Sequence, residues 1–219
     1  MNIELILRDP ITVPTPLLVL PFPEGTETLK GALASADALT EGDLQRALER
    51  KDITGKKEEA FLLIPPQGSG PQRILVVGTG KRDEVDAEVL RRVFGRAVRV
   101  AEGLRLEALS VWMDSGFPVS QAVYAQAAAE GVVLAAWRFR ELKTQKDPED
   151  PGVEILDLSL ITQGDEDETR RGLLIGLAQA RGENLARTLQ SRPGNGGGGL
   201  HPGQRGRRCE PDPDHHRTA

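Results

Sequence analysis

The chain is poor in the residues that carry most protein chemistry. Its one cysteine, Cys209, excludes an intramolecular disulfide and fits a reducing cytosol. All its histidines, His201, His215 and His216, lie near the C-terminus. Ser115 and Ser191, as candidate nucleophiles, therefore lack a histidine base in the part of the chain able to fold. Aromatic residues make up 4%, so few rings are available to stack a ligand. No apolar run approaches the length of a membrane span. The N-terminus, MNIELILRDP, carries acid and proline too early for a secretory signal. An excess of positive charge is also missing: the net charge of -5 gives no basic face for nucleic acid. The reading is a soluble cytoplasmic protein with one substantial domain, no membrane segment and no nucleic-acid partner.

What is present is an alternation of strands and helices. Ile3, Leu5 and Leu7 mark a first strand, and Leu17 to Phe22 is a continuous apolar run of the buried-strand kind. Leu29, Leu33 and Ala36 suggest a short helix, and Leu44, Ala47 and Leu48 another. Phe61 to Ile64 and Arg73 to Val77 read as strands. Asp86 can cap a helix with Leu90, Val93, Phe94, Ala97, Val98 and Ala101 on its apolar face. A strand within Leu106 to Met113 precedes a helix capped by Ser120, whose buried side is expected to be Ala122, Ala125, Ala129, Val132, Val133, Ala136 and Trp137. Val153 to Ile161 is the last strand. This alternation predicts an α/β layered domain.

Candidate chemistry is thin. Gly78-Thr79-Gly80-Lys81 after a strand invites a phosphate-loop reading. The spacing before Lys81 is too short and no Ser or Thr follows it, so a structural strand-to-helix turn is expected. His201, Cys209, His215 and His216 have donor chemistry for a metal but no hydrophobic framework to hold it. Tyr124, Trp137 and Phe139 fall at helical spacing and read as core. No catalytic, cofactor-binding or metal-binding residue is assigned.

Gly172 to Asn195 reads as a helix. Leu174, Ala178, Leu185 and Leu189 recur at spacings of four and seven, the acidic run Asp165 to Glu168 precedes it, and Pro193-Gly194-Asn195 stops it. Its segment ARGENLARTLQSRPGN resembles the junction of leucyl aminopeptidases (cytosol aminopeptidases), where a long helix with "ENLAR-x-L" and a "P-x-N" turn enters the catalytic domain. Two further segments are similar to that family. Asp52 to Glu59, DITGKKEE, resembles "D-F-x-G-K-x-G-E", with Ile53 for Phe and Glu58 where glycine is usual. Glu130-Gly131, Trp137-Arg138-Phe139 and Lys143-Thr144 resemble "E-G-x-x-L-x-x-Y-x-F-x-x-x-K-[ST]".

The resemblance implies a macro-domain-like mixed sheet sandwiched between helices over residues 1–170, an interdomain connecting helix over 171–195, and then a catalytic domain. Instead the composition changes at Gly196. Residues 196–219 hold one leucine, no valine, isoleucine or aromatic residue, and many Gly, Pro and Arg. Such a segment cannot bury enough apolar surface to order itself, so a disordered tail is expected, and the shift reads as a truncated or out-of-frame end. The family's metal-ligand signatures, "G-K-G-x-T-F-D-S-G-G" and "N-T-D-A-E-G-R", do not occur. The implied function is that of a non-catalytic N-terminal domain whose parent enzyme releases leucine-like N-terminal residues with two divalent ions, zinc or manganese. Contacts between subunits of a homo-hexamer are the implied role. A macro-like module for ADP-ribose or a related nucleotide, or a stand-alone interaction domain, is the alternative. Without its second domain, the connecting helix is expected to be firm near Leu174 and frayed beyond Gly182, with Leu185 and Leu189 exposed.

Overall fold

A six-stranded sheet forms the middle layer, and its two faces sort the apolar residues by simple alternation. The computed structural model describes residues 1–66, 68, 70–138 and 153–191. In chain order the elements are β1 (Asn2–Ile6), β2 (Leu18–Glu24), α1 (Ala32–Leu39), α2 (Asp43–Arg50), β3 (Ala60–Leu63), β4 (Ile74–Lys81), α3 (Ala87–Gly103), β5 (Ala108–Trp112), α4 (Gln121–Ala135), β6 (Asp157–Ile161) and α5 (Glu166–Gln190). The sheet order is β1-β6-β5-β2-β4-β3, with β3 the one antiparallel strand. The fold is thus the mixed, macro-like α/β sandwich expected from the resemblance.

Successive residues of a strand point to opposite faces. Val19, Leu75, Val77, Leu109, Val111, Leu158 and Leu160 meet α3 and α4 on one side. Leu18, Leu20, Phe22, Ile74, Val76 and Ile161 meet α1 and α2 on the other. Both faces are covered, which is why β2 and β4 read as unbroken apolar runs. Three helices begin on side-chain caps. Asp86 accepts from Val89 N at 2.8 Å, Ser120 from Val123 N at 3.3 Å, and Asp165 from Glu168 N at 2.7 Å.

Two helices depart from the pattern read off the sequence. α4 is buried on two sides, at Tyr124, Ala125, Ala127, Ala128, Ala129, Glu130, Gly131 and Val132, while Val133, Ala136 and Trp137 are only half-buried. It lies between α3 and α5, so no single apolar stripe describes it. In α5 the buried positions are Thr169, Gly172, Leu173, Gly176 and Ala180. Leu174 is 62% exposed and Leu185 61% exposed. The leucine stripe therefore faces away from the domain, opposite to what its periodicity implied. The packed side of α5 is its small-residue side: a Cβ on Gly172 would lie 2.0 Å from the Ala122 carbonyl oxygen, and one on Gly176 2.5 Å from that of Gln126.

Nor does the helix lose its partner beyond Gly182. It runs regularly to Gln190, and Asn184 donates to the Val133 carbonyl at 3.1 Å. Trp137 Nε1 donates to Thr188 Oγ1 at 3.4 Å, and the Arg187 guanidinium sits 5.8 Å from the Trp137 ring centre. The expected fraying is replaced by a polar seam between the ends of α4 and α5. Leu185 and Leu189 are exposed, as expected.

Candidate functional site

The glycine-rich GTGK segment is strand, not turn. Gly78, Gly80 and Lys81 pair in register with Phe22, Pro23 and Glu24 of β2, across an irregularity at Phe22/Pro23. The amides a phosphate would need are taken: Gly78 N donates to the Glu59 carbonyl at 2.7 Å and Gly80 N to that of Gly55 at 2.8 Å. Lys81 is an exposed partner of Glu84 at 3.1 Å. A phosphate cradle is thus excluded by hydrogen bonding as well as by spacing.

The same bonds explain the DITGKKEE turn. It folds back on β4 so closely that a Cβ at Gly78 would lie 1.9 Å from the Lys56 carbonyl oxygen. Glu59 holds the turn by accepting from Thr54 N at 2.7 Å and Gly55 N at 2.8 Å. Burial works to raise its carboxyl, but the bonds from Thr54 and Gly55 outweigh it and hold the group below its ordinary value. A carboxyl so depressed stabilises the fold above the unfolded carboxylate range and loses that contribution as pH falls through its folded value. Glu59→Gln should cost about 1–2 kcal/mol at neutral pH. In urea unfolding the gap from wild type should close below about pH 4. Glu58, at the family's glycine position, has a φ of 64°, the left-handed region that a side chain disfavours. Its exposed ion pair with Arg99, at 4.0 Å, offsets little of that strain. Glu58→Gly should therefore raise stability by about 1 kcal/mol in the same assay.

The Glu130-Gly131 motif is a helix seam. Gly131 lets α3 and α4 touch, since a Cβ there would meet the Arg91 carbonyl oxygen at 2.5 Å. The buried Glu130 carboxylate accepts from Arg91 Nε of α3 and from Gln126 at 2.8 Å. The hydrogen bond from Arg91 to Glu130 raises the Arg91 guanidinium above its ordinary value. Tyr124 is core, packed on Phe94 and Phe117, with its hydroxyl donating to the Trp112 carbonyl at 3.2 Å. Burial pushes that hydroxyl well above its ordinary value, so it stays protonated. Phe139, Lys143, Thr144, His201, Cys209, His215 and His216 lie outside the described residues.

One concavity was not legible in the sequence. A cleft of about 890 Å³ opens beyond the C-terminal ends of β2, β5 and β6. Asp9, Glu24, Glu27 and Asp114 line it against Lys30 and Arg82, with Trp112 contributing an aromatic wall. Arg82 is already engaged, 3.3 Å from Asp114 and 5.0 Å from the Phe117 ring centre. Its lining comes from segments scattered along the chain, joined only by sheet order. Among the described residues no cluster of three or more His, Cys, Asp or Glu can hold a metal ion. The described residues do not fit the donor set of a dinuclear metal centre.

Among the described residues, DITGKKEE forms a turn against β4 and Glu130-Gly131 a seam between α3 and α4. Residues 19–146 match the family model described as "Cytosol aminopeptidase family, N-terminal domain". The chain belongs to the cytosol aminopeptidase family. A "Probable cytosol aminopeptidase" of Roseiflexus castenholzii is 34% identical over 196 residues, covering 89% of this chain and 38% of the relative. One of Bacillus subtilis is 29% identical over 169 residues, covering 76% and 33%. The chain spans little more than a third of the length of these curated relatives. A tomato leucine aminopeptidase variant superposes with a TM-score of 0.70 at 20% identity, over 88% of this chain and 39% of that one. A variant of an Oceanobacillus iheyensis macrodomain with ADPR superposes with a TM-score of 0.57 at 11% identity, over 84% of this chain and 94% of that one. These structural likenesses concern the fold alone. Within the family's N-terminal domain, no helix among the described residues is long and apolar enough to cross a membrane.

Proposed function

We infer that residues 1–170 are a non-catalytic N-terminal domain and that 171–195 connect it to the catalytic part of a metallo-aminopeptidase. The observation carrying this reading is the use made of the motifs: DITGKKEE, Glu130-Gly131 and the ENLAR segment each fasten one element to another. The parent activity would be release of leucine-like N-terminal residues, with two zinc or manganese ions bound elsewhere, and this domain would serve contacts between subunits of a hexamer. The purified chain should match the blank against a leucine chromogenic amide with manganese or zinc added. Metal-dependent turnover that co-elutes with the chain on size exclusion would overturn the reading.

A macro-like ligand module is the second reading, favoured by the cleft at the C-terminal edge of the parallel strands, where open α/β sheets take ligands. The acids around that cleft outnumber its bases, which suits a pyrophosphate poorly. Calorimetric titration with ADP-ribose separates the two: binding in the micromolar range would favour the module.

A further inference from the structure

A segment that only tethers two units is commonly extended and rich in glycine, serine or proline. Residues 166–190 are instead one helix, and α4 holds it along its length. Near the start of α5 the contact is close to the backbone, Gly172 against Ala122 and Gly176 against Gln126. Near its end the contact is polar and aromatic. Asn184 donates to the Val133 carbonyl, Trp137 Nε1 donates to Thr188 Oγ1, and the Arg187 guanidinium sits over the Trp137 ring. Between the two ends, Gln126 donates to Gln179 at 2.7 Å. The partners stand 51 residues apart at Asn184–Val133 and at Trp137–Thr188. They are one residue closer in sequence at Gly172–Ala122 and Gly176–Gln126. So constant a separation means that α4 and α5 run parallel and in step, for about 24 Å from Gly172 to Thr188. Steeply crossed helices would part within a turn or two of the crossing point.

We propose that α5 is a rigid arm of this domain, clamped by α4 at both ends, and that the seam of Asn184, Arg187 and Thr188 fixes the direction in which the chain leaves at Ser191. Without that seam the second half of α5 would swing or fray. Its far side is exposed at Gly182 and Ala186, and a helix of that length is marginal in water by itself. Parallel helix dipoles repel weakly, so side chains and not dipoles hold the alignment. The seam serves direction more than stability. Asn184 leaves its buried Oδ1 without a hydrogen-bond partner among the described residues, which lowers the net gain from its contact. The proposal rests on the connecting role given above only for what the arm carries, the catalytic part. The rigidity of the arm belongs to the described residues alone.

Double electron–electron resonance between paired nitroxide labels tests this on the full chain, in a Cys209→Ser background. Glu49→Cys on α2, across the sheet, is the fixed point. Ala186→Cys reports the end of α5 and Leu174→Cys its start, and all three positions are exposed. Each pair with Glu49→Cys should give one narrow distance distribution. Asn184→Ala combined with Arg187→Ala and Thr188→Ala strips the seam while keeping the best helix former at each position. This triple variant should at least double the width of the distribution at Ala186→Cys and leave that at Leu174→Cys unchanged. A broad distribution at Ala186→Cys before the seam is removed, or a width indifferent to its removal, would overturn the proposal. So would equal broadening at Leu174→Cys, since the two ends would then not be held separately. None of these outcomes bears on the amide-hydrolysis assay, so the two readings fail separately.

Discussion

Gly172→Ala should cost about 3 kcal/mol, although alanine is the better helix former by about 1 kcal/mol. The new methyl would fall 2.0 Å from the Ala122 carbonyl oxygen and 2.6 Å from its Cα, both backbone atoms of α4. α4 cannot retreat, because its other side rests on α3, where a Cβ at Gly131 would already lie 2.5 Å from the Arg91 carbonyl oxygen. α5 must tilt off or the seam must open, and overpacking of this kind overwhelms propensity. Gly182→Ala, in the same helix, should do the reverse and gain about 1 kcal/mol, because its surroundings are open. Urea unfolding of both variants checks this. Changes of the same sign would mean that α5 does not lie on α4 as described.

Glu130→Ala should also cost about 3 kcal/mol. The Glu130 side chain is 7% exposed and is the point where Arg91 of α3 and Gln126 of α4 converge. Removing it strands a guanidinium that is 33% exposed, and the remaining contact with Glu88, at 3.2 Å, is a surface pair of little worth. Most of the loss is the uncompensated charge and not the pair itself. Replacing both partners, Arg91→Met with Glu130→Leu, should therefore recover most of the stability. Thermal and denaturant unfolding of the single and double variants form the test. A double variant as unstable as Glu130→Ala would show that the pair specifies the α3–α4 geometry in a way apolar packing cannot replace.

The sequence by itself determined the ladder of elements. Alternation in β2 and β4, the caps Asp86 and Ser120, and the stop at Gln190 just before Pro193 are local effects of backbone chemistry, legible without a partner. It also marked the family through DITGKKEE, Glu130-Gly131 and ENLAR, but not what those residues do, because their partners lie far along the chain. Glu130 needs Arg91, Gly131 needs the Arg91 backbone, and Asn184 needs Val133. The GTGK segment reads as a turn when glycine is judged by its freedom, and proves to be strand because the 55–59 turn occupies the space where side chains would stand. The sharpest reversal is α5. Hydropathy assigned its inner face to the leucines, since only apolar side chains signal burial in a one-dimensional pattern. Tertiary structure placed Gly172, Gly176 and Ala180 inside, because helices that touch backbone to backbone are selected for missing side chains, and an absent side chain has no hydropathy to read.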